Sequence, residues 1–200
     1  RSDIPIASGL GSGAALTTAL LRALAVAIHC VLSPDILNDL VYETEKLFHG
    51  TPSGVDNTVI VYERPVYFVR GQPIEPLSVG HGFTLLIADT GVSASTKVSV
   101  ADVRTLFNGD SVRFGAIFDA IGALVSRGRE SLQNGLLYDL GQIMNSNHAL
   151  LQELTVSSSE LDKLVTVAQS AGAMGAKLSG GGRGGNMIAL VEEDLLMTVK

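Results

Sequence analysis

The sequence predicts an α+β fold: helical stretches come in consecutive runs, short β-rich stretches stand apart from them, and glycine-rich turns join the two. Its 200 residues are 46% hydrophobic and 17% charged, a globular balance that allows a sizeable core and one or two domains. A net charge of -6 and no local Lys/Arg run argue against nucleic acid or an anionic membrane surface as partners. Any phosphate must therefore be held by local groups.

Taken in order, Ser12 to about Leu32 is rich in Ala and Leu and reads as a helix whose nearly all-round apolar character predicts burial. Its apolar run is broken by His29 and falls short of the ~20 residues that span a bilayer, so no membrane helix is expected. Cys30, the single cysteine, falls in this stretch and is expected to be a buried, inert thiol, which suits a reducing cytoplasm. A second helix runs from Ser33 to His49: Ser33 is an N-cap, Pro34 suits the first helical position, Asp35 suits the dipole, and Gly50 offers a left-handed stop. Val59 to Tyr62 and Val66 to Val69 read as β-rich, and Thr84 to Ala88 as a buried strand.

Helical periodicity returns over Ser111 to Leu132 and Leu136 to Leu154. A short helix then opens at the capping pattern Ser157-Ser158-Ser159-Glu160 and closes near Gly172. Strands near Ala176 to Leu178 and Met187 to Val191 flank a glycine-rich turn. The best compositional boundary is Gly80-His81-Gly82, which divides the chain into 1–80 and 81–200. Arg1 to Pro5 has neither an initiator Met nor a signal-peptide layout, so the sequence is expected to begin inside a longer protein.

Chemistry concentrates in three segments. Pro5 to Ala15 carries Gly9-Leu10-Gly11-Ser12-Gly13-Ala14 straight into a helix, where close-approaching backbone and unpaired N–H groups would cradle an anion. An ordinary loop capped by Ser12 is the alternative. No Gly-Lys-Ser/Thr follows, so this is not the phosphate loop of the common nucleotide hydrolases. The same residues satisfy a loose Gly-x-Gly-x-x-Gly/Ala dinucleotide pattern, but Asp3-Ile4-Pro5 is a poor end for the strand that pattern requires.

The second segment, Glu45 to Asn57, places one carboxylate late in a helix and another, Asp56, after a Pro/Gly turn that can bring the chain back. Phosphoryl transfer uses such a pair, one to hold Mg2+ and one to orient an acceptor hydroxyl. Taken singly, Glu45 reads as a solvated helix residue and Asp56 as an everyday turn residue. The third segment, Gly175 to Asn186, has more glycine than a plain hairpin needs, which favours a ligand-approaching loop over a simple turn.

These three segments in this order resemble the galactokinase, homoserine kinase, mevalonate kinase and phosphomevalonate kinase (GHMP) superfamily, and mevalonate kinases most closely. Glu45, His49-Gly50, Pro52-Ser53-Gly54 and Asp56-Asn57 fall at the spacing of that group's Glu and His-Gly-x-Pro-Ser-Gly-x-Asp-Asn pattern. The resemblance covers essentially the whole chain. It implies a two-domain fold: part of an N-terminal domain like the second domain of ribosomal protein S5, then a ferredoxin-like C-terminal domain, with the active site between them.

It implies an ATP-dependent enzyme that moves the γ-phosphate to the hydroxyl of mevalonate, with Asp56 catalytic and Gly9, Leu10, Gly11, Ser12, Gly13 and Ala14 around the ATP phosphates. Mg2+ falls to Glu45 and Ser12, and the acceptor to Thr96, Gly180 and Gly181. Lys97, in a Ser/Thr-Lys stretch that related enzymes share, is either part of the site or a solvated lysine. A homodimer is compatible with the resemblance, as is another GHMP acceptor or a truncated nucleotide-binding module without catalysis.

Two departures stand out. The group commonly shows Gly-Leu-Gly-Ser-Ser, whose second serine helps bind Mg2+, whereas this chain has Gly13. The strands and active-site lysine that precede the glycine loop in the group are not visible here. His29, His49, His81 and His148 lack metal-ligand spacing and are given no chemistry.

Overall fold

A computed structural model describes residues 11–49 and 52–199. The chain divides into two compact units between Leu77 and Ser78. The first contains helices α1 (Ser12–Ala27), α2 (Pro34–His49) and α3 (Val55–Tyr62), followed by a short antiparallel pair, β1 (Val66–Tyr67) and β2 (Glu75–Pro76). Ala14, Leu37, Val41 and Val61 form its core, so each helix contributes an apolar face to one shared contact.

α1 is shorter than its composition predicts. His29 turns left-handed (φ 53°), its N–H bonds Val26 O at 3.2 Å, and the Cys30 N–H bonds Ala25 O at 2.8 Å. These paired bonds satisfy the last carbonyls and stop the helix, a task usually given to glycine. Cys30 therefore lies past the helix end and is exposed, not buried. The expected burial of α1 holds for one side only: Ala14, Thr18 and Ala25 are buried, while Leu16, Leu20 and Leu24 are exposed.

The β-rich reading of Val59 to Tyr62 is also corrected, since those residues close α3. Gly54 at φ 91° turns the chain into the helix, and the Thr58 hydroxyl donates to Gly54 O at 2.6 Å. Val61 is then buried against α1 and α2, and that packing outweighs the strand preference of β-branched side chains. Arg22 of α1 pairs with Glu63 and donates to Val61 O at 3.2 Å, fastening the end of α3. The N-terminus of α2 follows its local signal, with the Ile36 N–H donating to Ser33 Oγ at 3.3 Å. Gly50 lies outside the described residues.

The second unit holds an antiparallel sheet of β3 (Thr84–Asp89), β4 (Gly175–Ser179) and β5 (Asn186–Val191), with β5 in the middle. Rows run Asp89, Asn186, Ser179 and Ile87, Ile188, Lys177 across it. Helices α4 (Thr96–Gly109), α5 (Ser111–Asn134), α6 (Leu137–Glu153) and α7 (Ser159–Ser170) accompany the sheet. Leu161, Val165 and Ala168 of α7 cover Ala176, Leu178, Met187 and Ala189 on one face. Burying a side chain such as Leu161 or Leu178 contributes about 2 kcal/mol.

The free edge of β4 is closed by α6. Asn145 Oδ1 accepts the Ala176 N–H at 2.9 Å, and His148 Nδ1 accepts the Leu178 N–H at 3.3 Å. Such side chains protect an edge that would otherwise offer unpaired backbone groups. Gly141 and Gly175 allow the approach: a Cβ on Gly175 would lie 2.1 Å from Gly141 O. α4 was not read as a helix from sequence, because its β-branched and serine-containing turns bury only Ser99.

Candidate functional site

In the first unit the glycine loop enters α1 through Gly11, whose left-handed backbone (φ 68°) serves as the N-cap without a capping side chain. The first intrahelical bond, Ala15 N–H to Gly11 O at 2.9 Å, leaves the N–H groups of Ser12, Gly13 and Ala14 outside the helical ladder. There is no acidic residue in the first turn of α1. Such a helix start presents oriented N–H groups and a partial positive charge.

Both carboxylates of the second segment come to this turn. Glu45, on α2, is 7% exposed, and its Oε1 lies 3.1 Å from where a Cβ on Gly13 would stand. Asp56, on α3, lies against Gly11: a Cβ there would be 3.5 Å from Asp56 Cβ and 2.9 Å from Ile60 Cδ1. The glycines are thus needed for space as well as for conformation. Serine in place of Gly13 would press on Glu45, so this departure from the common pattern leaves Glu45 close to the helix mouth. A buried carboxylate oxygen beside exposed backbone N–H groups fits the donor set of Mg2+ with a nucleotide phosphate, which favours one or two carboxylates plus phosphate oxygens.

Among the other expected residues, Ser12 begins α1 and Ala14 is fully buried in the core, backbone included. Gly9 and Leu10 lie outside the described residues. Near Asp56, Asn57 is buried and its amide donates to Asn38 Oδ1 at 2.7 Å, which holds the start of α3 to α2.

In the second unit the glycine-rich turn joins β4 to β5. Gly180, Gly182, Gly184 and Gly185 all have positive φ, and so does Arg183 (φ 58°) between them. A Cβ on Gly181 would lie 2.5 Å from Thr96 Oγ1, so the expected acceptor residues Thr96 and Gly181 are neighbours. Gly180 has open space where a side chain would be and is required for its backbone conformation alone. Lys97 is exposed beside Thr96.

Sequence reading passed over Arg183. A left-handed arginine costs about 1 kcal/mol in backbone energy, and here several contacts offset it. Its backbone N–H donates to Val156 O at 2.8 Å, its Nε donates to Thr155 O at 3.1 Å, and its guanidinium pairs with Asp102 of α4. A charged residue set among glycines was the available signal. Among the described residues there is no cluster of His, Cys, Asp and Glu able to hold a metal by itself, and no helix is long and apolar enough to cross a membrane.

The family model of the GHMP kinases N terminal domain matches residues 1–64, and that of the GHMP kinases C terminal matches residues 129–196. Mevalonate kinase of Pyrococcus horikoshii is 38% identical over 194 residues, which cover 94% of this chain and 57% of that protein. The crystal structure of L. major mevalonate kinase in complex with R-mevalonate superposes with a TM-score of 0.90 at 36% identity, over 96% of this chain and 60% of that one. Methanococcus jannaschii mevalonate kinase superposes with a TM-score of 0.86 at 27% identity, over 100% and 62% of the two chains. The chain thus spans about three fifths of the length of these relatives.

Proposed function

We propose, from the premise that this chain belongs to the GHMP kinase family, that the protein containing it transfers the γ-phosphate of ATP to the hydroxyl of mevalonate. One observation carries the reading: two carboxylates, Glu45 and Asp56, flank the same start of α1, where Gly11 and Gly13 stand on either side of Ser12. Gly11, Ser12 and Gly13 offer backbone N–H groups to the phosphates, with Gly9, Leu10 and Ala14 assigned to the same loop. The N–H groups of the first turn of α1 are oriented by the helix itself and need no rearrangement as charge moves toward the leaving phosphate.

Asp56 accepts the proton of the acceptor hydroxyl while the hydroxyl oxygen bonds the γ-phosphorus, and the bond from that phosphorus to the β,γ-bridging oxygen breaks to release ADP. Thr96, Gly180 and Gly181 are assigned to the acceptor. Glu45 and Ser12 would hold Mg2+, which when bound supplies neutralising charge to the β- and γ-phosphate oxygens. Mevalonate is favoured over other acceptors by the likeness to mevalonate kinases at 38% and 36% identity. The same reading takes the protein as cytoplasmic and is compatible with a homodimer, which sedimentation of the full-length protein would read.

The test is ADP release by the full-length protein, supplied in turn with mevalonate, phosphomevalonate, galactose and homoserine. Mevalonate is expected to drive turnover with Mg2+ present, and Asp56→Ala to lower kcat about 10^2- to 10^4-fold with the fold retained. Turnover on another acceptor alone would reassign the substrate. An Asp56→Ala protein as fast as the parent would remove Asp56 from catalysis.

A further inference from the structure

We propose that Arg183 is a positioning residue for the acceptor, acting through α4 by holding Thr96 against the Gly180–Gly185 turn. The inference rests on the reading of Thr96 and Gly181 as acceptor residues. Its own ground is a set of contacts that join three segments at a single side chain.

Arg183 has a planar fork of donors that point in different directions, and each direction is used. Its Nε donates to Thr155 O at 3.1 Å and its Nη2 reaches Thr155 Oγ1 at 3.4 Å, both on the turn between α6 and α7. Its Nη1 pairs with Asp102 Oδ2, on α4. The backbone N–H of the same residue donates to Val156 O at 2.8 Å, so main chain and side chain fasten the turn to the same place.

α4 meets the turn at two points. Near its start, Thr96 Oγ1 fills the space that a side chain on Gly181 would need. Further along, Asp102 is held by Arg183. One contact of steric kind and one of charge fix the rotation of α4 about its axis and its slide along the turn. Releasing the second leaves α4 held by the packing of Val103 and Leu106 on α5 and by Ser99, with no polar hold on the turn, and Thr96 itself is exposed. Ser99, the buried residue of α4, lies one turn beyond Thr96. Only an arginine both reaches Asp102 and occupies the Thr155 carbonyl and hydroxyl, which accounts for a bulky residue at a left-handed position in a turn otherwise built of glycine.

Two substitutions in the full-length protein separate positioning from folding. Arg183→Gly removes the fork while relieving the left-handed backbone, and Asp102→Asn keeps Arg183 but removes the charge it holds. Each is expected to raise the KM for mevalonate about tenfold, with the KM for ATP within about twofold and Tm little changed. The double variant is expected to be no worse than Arg183→Gly alone, as for two residues acting through one contact.

Hydrogen exchange supplies a readout that does not depend on turnover. The amides of Val98, Ser99 and Gly180 to Gly185 are expected to exchange about tenfold faster in both variants, with those of Met187 to Val191 unchanged. If the parent protein fails to turn over mevalonate, the kinase reading fails and exchange alone decides the role of Arg183. Unchanged exchange at these amides, or an unchanged mevalonate KM in an active Arg183→Gly protein, overturns the proposal.

Discussion

At the start of α1 the atoms that leave no room for a side chain belong to other side chains: Ile60 and Asp56 face Gly11, and Glu45 faces Gly13. In the Gly180–Gly185 turn the nearest atoms at two positions belong to backbone, while Gly181 faces the Thr96 side chain. A Cβ on Gly182 would stand 1.9 Å from Val156 O, and one on Gly184 would stand 2.3 Å from Val92 O. Side chains can rotate away, whereas a backbone carbonyl already bonded to its neighbours cannot. Glycine in the first unit thus makes room for neighbouring side chains, and Gly182 and Gly184 in the second make room for neighbouring backbone. Substitutions in the first should disturb ligand handling with the fold intact; substitutions in the second should disturb the fold itself.

The largest effect is expected at Gly182. Gly182→Ala combines a left-handed backbone (φ 74°) with an overlap on Val156 O, and should destabilise the protein by about 3 kcal/mol or more in urea unfolding. Gly185→Ala is the control, since its φ of 71° is similar but its side-chain space is open, and it should cost only about 1 kcal/mol. Equal losses in the two variants would mean that conformation alone matters and that the contrast between the units is mistaken.

Gly13 sharpens the other half of the comparison. Its φ is not positive and it lies within α1, so Gly13→Ala should leave stability unchanged or raise it by up to about 1 kcal/mol through helix propensity. The new methyl would nonetheless sit 3.1 Å from Glu45 Oε1 and push that carboxylate aside. The affinity for Mg2+-ATP should fall about five- to tenfold, measured by titration calorimetry. Gly13→Ser adds an oxygen at the same place and should recover part of that loss. A Gly13→Ala protein that binds Mg2+-ATP as tightly as the parent would separate Glu45 from the metal.

How much of this could be read from the residues follows from the range of the forces involved. Starts of α2 and α7 were legible because their caps are local: Ser33 accepts the Ile36 N–H, and Ser158 accepts the Leu161 N–H. Even there a register step was missed, since Ser157, the first residue of the capping pattern, pairs instead with Asp162. The meeting of Glu45 and Asp56 at the helix mouth was anticipated through resemblance, not from either residue alone. α3 was misread because Val59, Ile60 and Val61 carry a strand preference that only packing against α1 and α2 reverses. The helix stop at His29 was missed because the left-handed residue is not a glycine. The Arg183 and Asp102 pair joins positions 81 residues apart, beyond anything a local pattern can register.

The smallest effect concerns pH, and it tests whether the second unit is held together by polar contacts at its sheet edge as well as by glycine. His148 is 5% exposed; its Nδ1 accepts the Leu178 N–H at 3.3 Å while its Nε2 faces Asp162 Oδ1 at 3.1 Å. The neutral ring with its proton on Nε2 satisfies both partners, and protonation of Nδ1 would remove the acceptor for Leu178. Burial lowers the His148 pKa below 6.5; the charge and hydrogen bond of Asp162 oppose that shift, and Lys177 adds to it. For Asp162 itself, burial favours the neutral acid, but hydrogen bonds from Ser157 and Gln152 and the facing His148 leave its pKa below the usual 3.8. Because the unfolded histidine titrates near 6.5 and the folded one lower, the unfolded chain binds more protons between those values. Stability is therefore full above about pH 6.5 and falls as the pH drops toward the folded pKa. His148→Asn keeps a short acceptor within reach of the Leu178 N–H without a titrating proton. Urea unfolding at pH 7.5 and 5.5 should show a smaller loss in that variant than in the parent, and an equal loss in both would place the acid sensitivity elsewhere than at the β4 edge.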